Sequence, residues 1–394
     1  MISGNENLIQ IAETYPEIIS ELEKQGLGNY FKKENLQKIG KFLRLHTVLS
    51  SSNIDPDLFI KSLNKQIANE VSLEIDRSSL DFSAMLPCGL RNPFKEFCES
   101  HFQKFPDQFN DLNILIEGNV NHELSYYPLL DSIEDVDELP DVIMASDINN
   151  FFHKPFVEKF IEKGAFETYQ PYELNSYLEK VQYFDPKGYY TMYTANMLVM
   201  VVDEVKLGNR KIPEQWSDLL LPEFENSIIM RGEDDFFCNA VLLPFFKDGG
   251  LDAIRAFAKN IVKGMHPAEM IKSANNKYGG EAAVYVMPWF FSKRIKNENV
   301  KVVWPKDGAI ASPVFLLVKK GKAKEKEALL RFLMSKETGD LLCDRYFPAI
   351  HPECKNDHLK EEVKWLGWDF LRSYDIGSLK DDIRTAFMEV WTKK

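Results

Sequence analysis

Apolar positions divide the chain into two regimes. In the first, Leu8, Ile11, Ala12, Tyr15, Ile18, Ile19 and Leu22 recur every three or four residues, which predicts a helix with one buried face. Gly26 and Gly28 close that stretch. A second helical run covers about 35–45. Asp55-Pro56-Asp57 opens a third, with Asp55 as N-cap and Pro56 at the first helical position. Three short helices predict a separate all-α domain over residues 1–75. It is too small for a deep pocket and suited to docking or dimerisation.

Beyond residue 75 the period changes. Short apolar runs at 82–86, 113–117, 142–145, 198–202, 227–230, 282–286, 302–304 and 314–318 alternate with helical text such as 93–104 and 323–334. Strand–helix alternation predicts an α/β architecture with largely parallel sheets. No Gly/Ser linker and no repeat interrupts it, so two lobes here would be joined by strands. The last forty residues return to helical text, from Trp365-Leu366-Gly367-Trp368 to Trp391.

Composition narrows the function classes. The chain has 394 residues, 44% of them hydrophobic and 12% aromatic, enough for two or three packed domains. Lys+Arg 48 against Asp+Glu 60 gives a net charge of −12, a poor match to general phosphate-backbone binding. No nucleic-acid partner and no membrane-spanning segment are expected, since no apolar run approaches about 18 residues. The N-terminal segment lacks a basic stretch followed by an apolar one, so as it stands it predicts a cytoplasmic protein. Removal of an export signal would make it periplasmic or cell-surface. Cys88, Cys98, Cys238, Cys343 and Cys354 are odd in number and lack C-x-x-C spacing, which argues against a disulfide framework or a zinc ribbon.

Catalytic signatures are absent: no G-x-S-x-G, no phosphate-binding G-x-x-x-x-G-K, no H-E-x-x-H and no G-x-G-x-x-G. His122-Glu123 offers two metal-ligand atoms, too few for a site. No enzyme activity, cofactor or metal site is expected. Candidate binding residues lie instead where strands end. The run at 82–86 leads into Pro87-Cys88-Gly89-Leu90-Arg91, that at 113–116 into Gly118-Asn119 and His122, and that at 142–144 into Ser146-Asp147. In open α/β sheets, ligands sit beyond the carboxyl ends of strands.

One segment resembles a known family. Lys211-Ile212-Pro213-Glu214-Gln215-Trp216-Ser217-Asp218-Leu219-Leu220, followed by Leu221-Pro222-Glu223-Phe224, is similar to a stretch in the extracellular solute-binding proteins of ABC importers. The similar branch includes ferric, thiamine, polyamine and phosphonate binders. Gly280-Glu281-Ala282-Ala283, Val302-Val303-Trp304-Pro305-Lys306-Asp307-Gly308 and the helix start at Ser335 follow in the family's order, although Gly339 replaces the usual glutamine. Residues 1–70 resemble, more remotely, a small helical domain of bacterial redox and metal-related proteins. Gly28-Asn29-Tyr30 stands where that domain carries cysteines.

The resemblance implies a type 2 periplasmic-binding fold: two α/β lobes joined by two crossing strands, plus the N-terminal all-α domain. Lobe one would span 76–195 and 309–394, and lobe two 196–308, with crossings near 193–202 and 308–317. It adds Tyr193, Thr194, Arg231, Glu281, Trp289 and Ser312 to the candidate ligand-binding residues Cys88, Gly89, Arg91, Asn119, His122, Ser146 and Asp147. The ferric branch's adjacent tyrosines are not found after Gly280, where Tyr285 stands alone. The implied ligand is a small anion, a zwitterion or a metal complex, delivered by a monomer to an ABC permease. An intracellular ligand sensor or carrier on the same fold, with the helical domain contacting a partner, is the alternative.

Overall fold

The computed structural model describes residues 2–392 apart from 3, 5, 16–17, 53, 57, 61, 64–75, 120–125 and 234–235. It contains two compact units, residues 1–76 with 121–129, and residues 77–120 with 130–394.

The first unit is helical. The stretch anticipated as one helix from Leu8 to Leu22 is two, α1 (Leu8–Thr14) and α2 (Ile19–Lys24). Tyr15 leaves the helical region at φ −135°, ψ 57° because it precedes Pro16. Asn7 and Gln10 cap α1 reciprocally. Three more helices follow: α3 (Gly28–Phe31), α4 (Lys33–Ile39) and α5 (Leu45–Ser51). Leu8, Ile11, Leu22, Leu45 and Leu49 form their common core at 0% exposure. Beyond α5, Asp55 Oδ1 accepts from the Leu58 N–H at 3.1 Å, as an N-cap does.

The second unit is built on strands. Its main strands are β1 (Phe82–Leu86), β2 (Ile114–Gly118), β3 (Val142–Ser146), β4 (Thr191–Asp203), β5 (Ile228–Met230), β6 (Ile261–Gly264), β7 (Val284–Pro288), β8 (Val300–Val303) and β9 (Ala309–Lys319). Among the described residues the hydrogen-bonded order runs β2-β1-β3-β9-β4-β7-β5-β6, with β8 beside β4. Parallel pairs occupy both ends: β1 with β2 and β3, and β5 with β6 and β7. Both faces of such sheets are covered, so β1, β3, β5 and β7 are buried at every position.

The two ends form separate lobes because β4 and β9 cross between them. Strand β9 pairs antiparallel with β3 through Val314–Val318 and with β4 through Ile310–Leu316. Strand β4 pairs with β9 up to Leu198 and with β7 from Leu198 to Val202. The two crossing strands also pair with each other, so one ladder runs through both lobes. Thirteen residues of β4 and eleven of β9 are buried except Asn196.

The helices that matter for the site start at strand ends. They are α6 (Cys88–Lys104) after β1, α7 (Asn239–Asn260) after β5, and α8 (Pro267–Ala274) after β6. Trp216 explains why its sequence segment stands out. Its side chain is 1% exposed, Nε1 donates to the Gly308 carbonyl at 2.8 Å, and its own N–H donates to Asp307 Oδ1 at 3.1 Å. Gly308 sits at φ +96°, and a Cβ there would lie 2.5 Å from the Val363 carbonyl carbon. The two family-like stretches are thus one structural joint, which fixes the entry to β9.

Candidate functional site

A cavity of ≈ 60 Å³ lies where the crossing strands meet the carboxyl ends of the lobe strands. It holds a few waters or one small polyatomic molecule. From the lobe of β1–β3 it is lined by Pro87, Cys88, Asn119, Ser146 and Asp147. From the other lobe come Arg231, Cys238, His266, Pro288, Phe290 and Phe291, and Asn196 and Ser312 come from the crossing strands.

Local chemistry fixes each group. Ser146 ends β3 and its hydroxyl donates to the Met85 carbonyl on β1. Asp147 then turns at φ +71°, a region an Asp tolerates better than most residues. Its N–H donates to the Pro313 carbonyl at 2.7 Å, tying the turn to β9, and its Oδ1 accepts from the Ile148 N–H at 2.7 Å. Asn149 Nδ2 closes the turn on the Ser146 carbonyl at 2.9 Å. Asn196 and Ser312 are register partners on β4 and β9, so the floor of the cavity is one cross-strand pair.

In the other lobe, Cys238 donates its N–H to the Arg231 carbonyl at 3.0 Å, which sets α7 beside the end of β5. His266 caps α8: Nδ1 accepts from the Ala268 N–H at 3.2 Å. In the neutral ring the proton therefore sits on Nε2. That nitrogen faces Cys88 Sγ at 4.0 Å, from the opposite lobe. Beside this pair, Phe290 seats on Gly89. A Cβ at Gly89 would fall 1.8 Å from Phe290 Cε2, so only glycine permits the approach. The same ring stacks on Phe347 at 5.3 Å between centroids. Contacts across the cleft are thus made, and the lobes are closed over the cavity.

Six of the expected residues line the cavity together: Cys88, Asn119, Ser146, Asp147, Arg231 and Ser312. Six others lie elsewhere. Gly89 is under Phe290 at the rim. Arg91 is exposed on α6 and donates from Nε to Asn92 Oδ1. Tyr193 is a core residue that donates to the Leu333 carbonyl at 2.8 Å, and burial pushes its phenol well up. Thr194 donates to the Pro348 carbonyl at 2.6 Å, which covers its side of β4. Glu281 pairs with Lys263 at the surface. Trp289 donates from Nε1 to the His358 carbonyl and carries Lys293 over its ring at 3.3 Å. His122 lies outside the described residues.

Sequence reasoning passed over Asn196, Cys238, His266, Phe290 and Phe291. Two of them carried a signal: Asn196 interrupts the apolar run of β4, and His266-Pro267 is a cap-and-proline helix start directly after a strand. No tyrosine is among the described cavity-lining residues. Tyr190 and Tyr285 are both buried, donating to or bonding with Phe151 and Ser273. A wider depression of ≈ 540 Å³ around Lys154, Lys159, Lys163 and Asp375 has no buried lining side chain and is open surface.

Residues 137–374, more than half of the chain, match the family model of bacterial extracellular solute-binding proteins. The chain belongs to that family. Solved structures of the same fold include the periplasmic binding protein P5PA, at TM-score 0.54 and 16% identity over 78% of this chain and 99% of that one. Trichodesmium IdiA (FutA) in complex with iron and citrate matches at TM-score 0.54 and 14% identity, covering 78% and 98%. An ABC transporter structure from Clostridium perfringens matches at TM-score 0.51 and 19% identity, covering 77% and 98%. No curated protein matches the chain in sequence. This solute-binding protein therefore has the type 2 periplasmic-binding fold, two α/β lobes joined by two crossing strands, with a helical N-terminal region. Among the described residues, no helix is long and apolar enough to cross a membrane.

Proposed function

We propose that this solute-binding protein captures a small solute in the cavity between its lobes and presents it to an ABC permease at the periplasmic or outer face of the membrane. The lobes are residues 76–195 with 309–394 and residues 196–308, and residues 1–75 are an added helical domain. The role is binding without catalysis. One observation supports it above all: both lobes and both crossing strands contribute side chains to a single cavity. Such a cavity opens and closes by a hinge in the crossing strands, and a solute that contacts both lobes shifts the equilibrium to the closed form.

The test uses the dialysable low-mass fraction of a bacterial extract. The full chain should gain thermal stability in it, by RT ln(1 + [L]/Kd). Asn196→Leu, which fills the floor, and Arg231→Ala should lose that gain. A wild-type chain that no such fraction stabilises, or variants stabilised like the parent, would contradict the reading.

A further inference from the structure

The geometry points to the solute's chemical class: a small zwitterion bearing a primary ammonium and a carboxylate, with a compact apolar substituent. This rests on the cavity being the binding site.

The first observation is an uncompensated charge. Asp147 is 8% exposed, and its only hydrogen bond to a side-chain oxygen comes from the neighbouring Ile148 N–H. Among the described residues no Lys, Arg or His forms an ion pair with it. A buried carboxylate in that state is costly unless something else brings positive charge. Beside it, Asn196 Oδ1 is buried with no hydrogen-bond partner. Ser312 is 6% exposed, lines the same cavity, and its hydroxyl makes no hydrogen bond to any described residue. Asp147 is bonded to Pro313, next to Ser312, and Ser312 is the register partner of Asn196, so these three groups are contiguous. Three acceptors in one corner match the three N–H donors of a primary ammonium.

The second observation is the opposite polarity of the facing wall. Arg231 lines it. Helix α7 begins there with no side-chain cap from Cys238 and runs to a kink at Gly249 and Gly250, and α6, 17 residues long, begins at the rim with none from Pro87. The amides of a helix's first turn and the helix dipole favour an anion. A solute that bears both charges satisfies both walls and joins the lobes, whereas an ion of either sign satisfies one.

The remaining wall is Leu198, Val241, Val286, Phe290 and Phe291, which suits an apolar substituent, and ≈ 60 Å³ restricts it to a few carbons. A trivalent cation is a poorer fit. Among the described lining residues it would find one carboxylate, neutral oxygens and no phenolate, and His266 directs an N–H rather than a lone pair into the cleft.

Calorimetric titration of the full chain with L-alanine, ethylamine and propionate tests the class, with the dialysable extract fraction as a parallel arm. Alanine should bind, and each half-molecule should bind at least about 100-fold more weakly, since each engages only one of the two walls. Asp147→Asn keeps the shape and removes the charge. It should weaken alanine about 10- to 150-fold, while the unliganded variant melts no lower than the parent. Ser312→Ala should weaken alanine less than Asp147→Asn does. If the extract fraction stabilises the protein but alanine and other small amino acids do not bind, the class is wrong and the cavity stands. Equal binding of alanine by parent and Asp147→Asn overturns the assignment of Asp147. If neither alanine nor the extract fraction binds, the cavity reading falls and the class with it.

Discussion

Cys88 Sγ lies 4.0 Å from His266 Nε2, across the cleft and 178 positions apart in sequence. Each residue stands at the start of a helix, one in each lobe. Separation of the lobes would part the two side chains, so the contact is a probe of closure.

That makes Cys88 a site for chemical interference. All five cysteines are thiols, but Cys98, Cys238 and Cys354 are buried. Burial also pushes the Cys343 thiol up to about 11 and the Cys354 thiol up to about 12. Cys88 is exposed, so brief treatment with N-ethylmaleimide at neutral pH should modify it first, as peptide mapping would verify. The adduct occupies the space between Cys88 and His266. Solute binding should fall about tenfold or more, and the binding of Cys88→Ser should be unchanged by the reagent. Unchanged binding by singly modified protein would rule out closure at this contact.

Gly89 and Phe290 allow a sharper test. Gly89→Ala suits helix α6 by about 1 kcal/mol in propensity, yet its Cβ would lie 1.8 Å from Phe290 Cε2. The unliganded protein should stay folded, and small-angle scattering should show a more open average shape. Gly89→Ala with Phe290→Ala should recover part of the closure, a non-additivity expected of residues in contact. Strict additivity of the two changes would place the closing contact elsewhere.

The fold class was legible in the sequence because its signals are local. The alternation of short apolar runs and helices marks the α/β unit, and Trp216 and Gly308 mark a joint whose geometry admits few other residues. The cavity was half legible. Ser146 ends a strand and Asp147 and Cys88 come just after strands, and strand ends are where ligands sit. Thr194 shares a strand with Asn196 two residues on, yet the Pro348 carbonyl, 154 positions away, covers it. No local pattern could say which of the two faces the cavity. Trp289 and Glu281 look functional by residue type, and packing gave them other partners.

The joint at Trp216 carries stability. Trp216→Phe keeps an aromatic ring but leaves the Gly308 carbonyl without its donor, so it should cost about 1–3 kcal/mol in denaturant unfolding. Trp216→Ala should cost about 3–5 kcal/mol. A loss within about 0.5 kcal/mol for both would show that the entry to β9 is fixed by other contacts.

Acid sensitivity should trace to Lys326. Its ammonium bonds to Asp81 and Glu325 and lies 3.4 Å from Asp141. Hydrogen bonds from Lys326 and Lys322 pull the Glu325 carboxyl down to about 2. A carboxylate depressed on folding contributes stability above its unfolded pKa of about 4.3, and that contribution is lost as pH falls toward the folded value. Between about pH 5 and pH 2, Glu325→Gln should therefore show a shallower loss of stability than the parent, by thermal unfolding at each pH. Identical slopes would remove Glu325 from the acid response.

Hydrogen exchange read by mass spectrometry tests the central claim most directly. The full chain is compared with and without the low-mass solute fraction that stabilises it. Protection should rise together in five segments far apart in sequence, around residues 87–89, 146–149, 196–198, 238–241 and 266–268, because all border one cavity that closes on the solute. Protection confined to one lobe, or found only in residues 1–63, would contradict capture between the lobes.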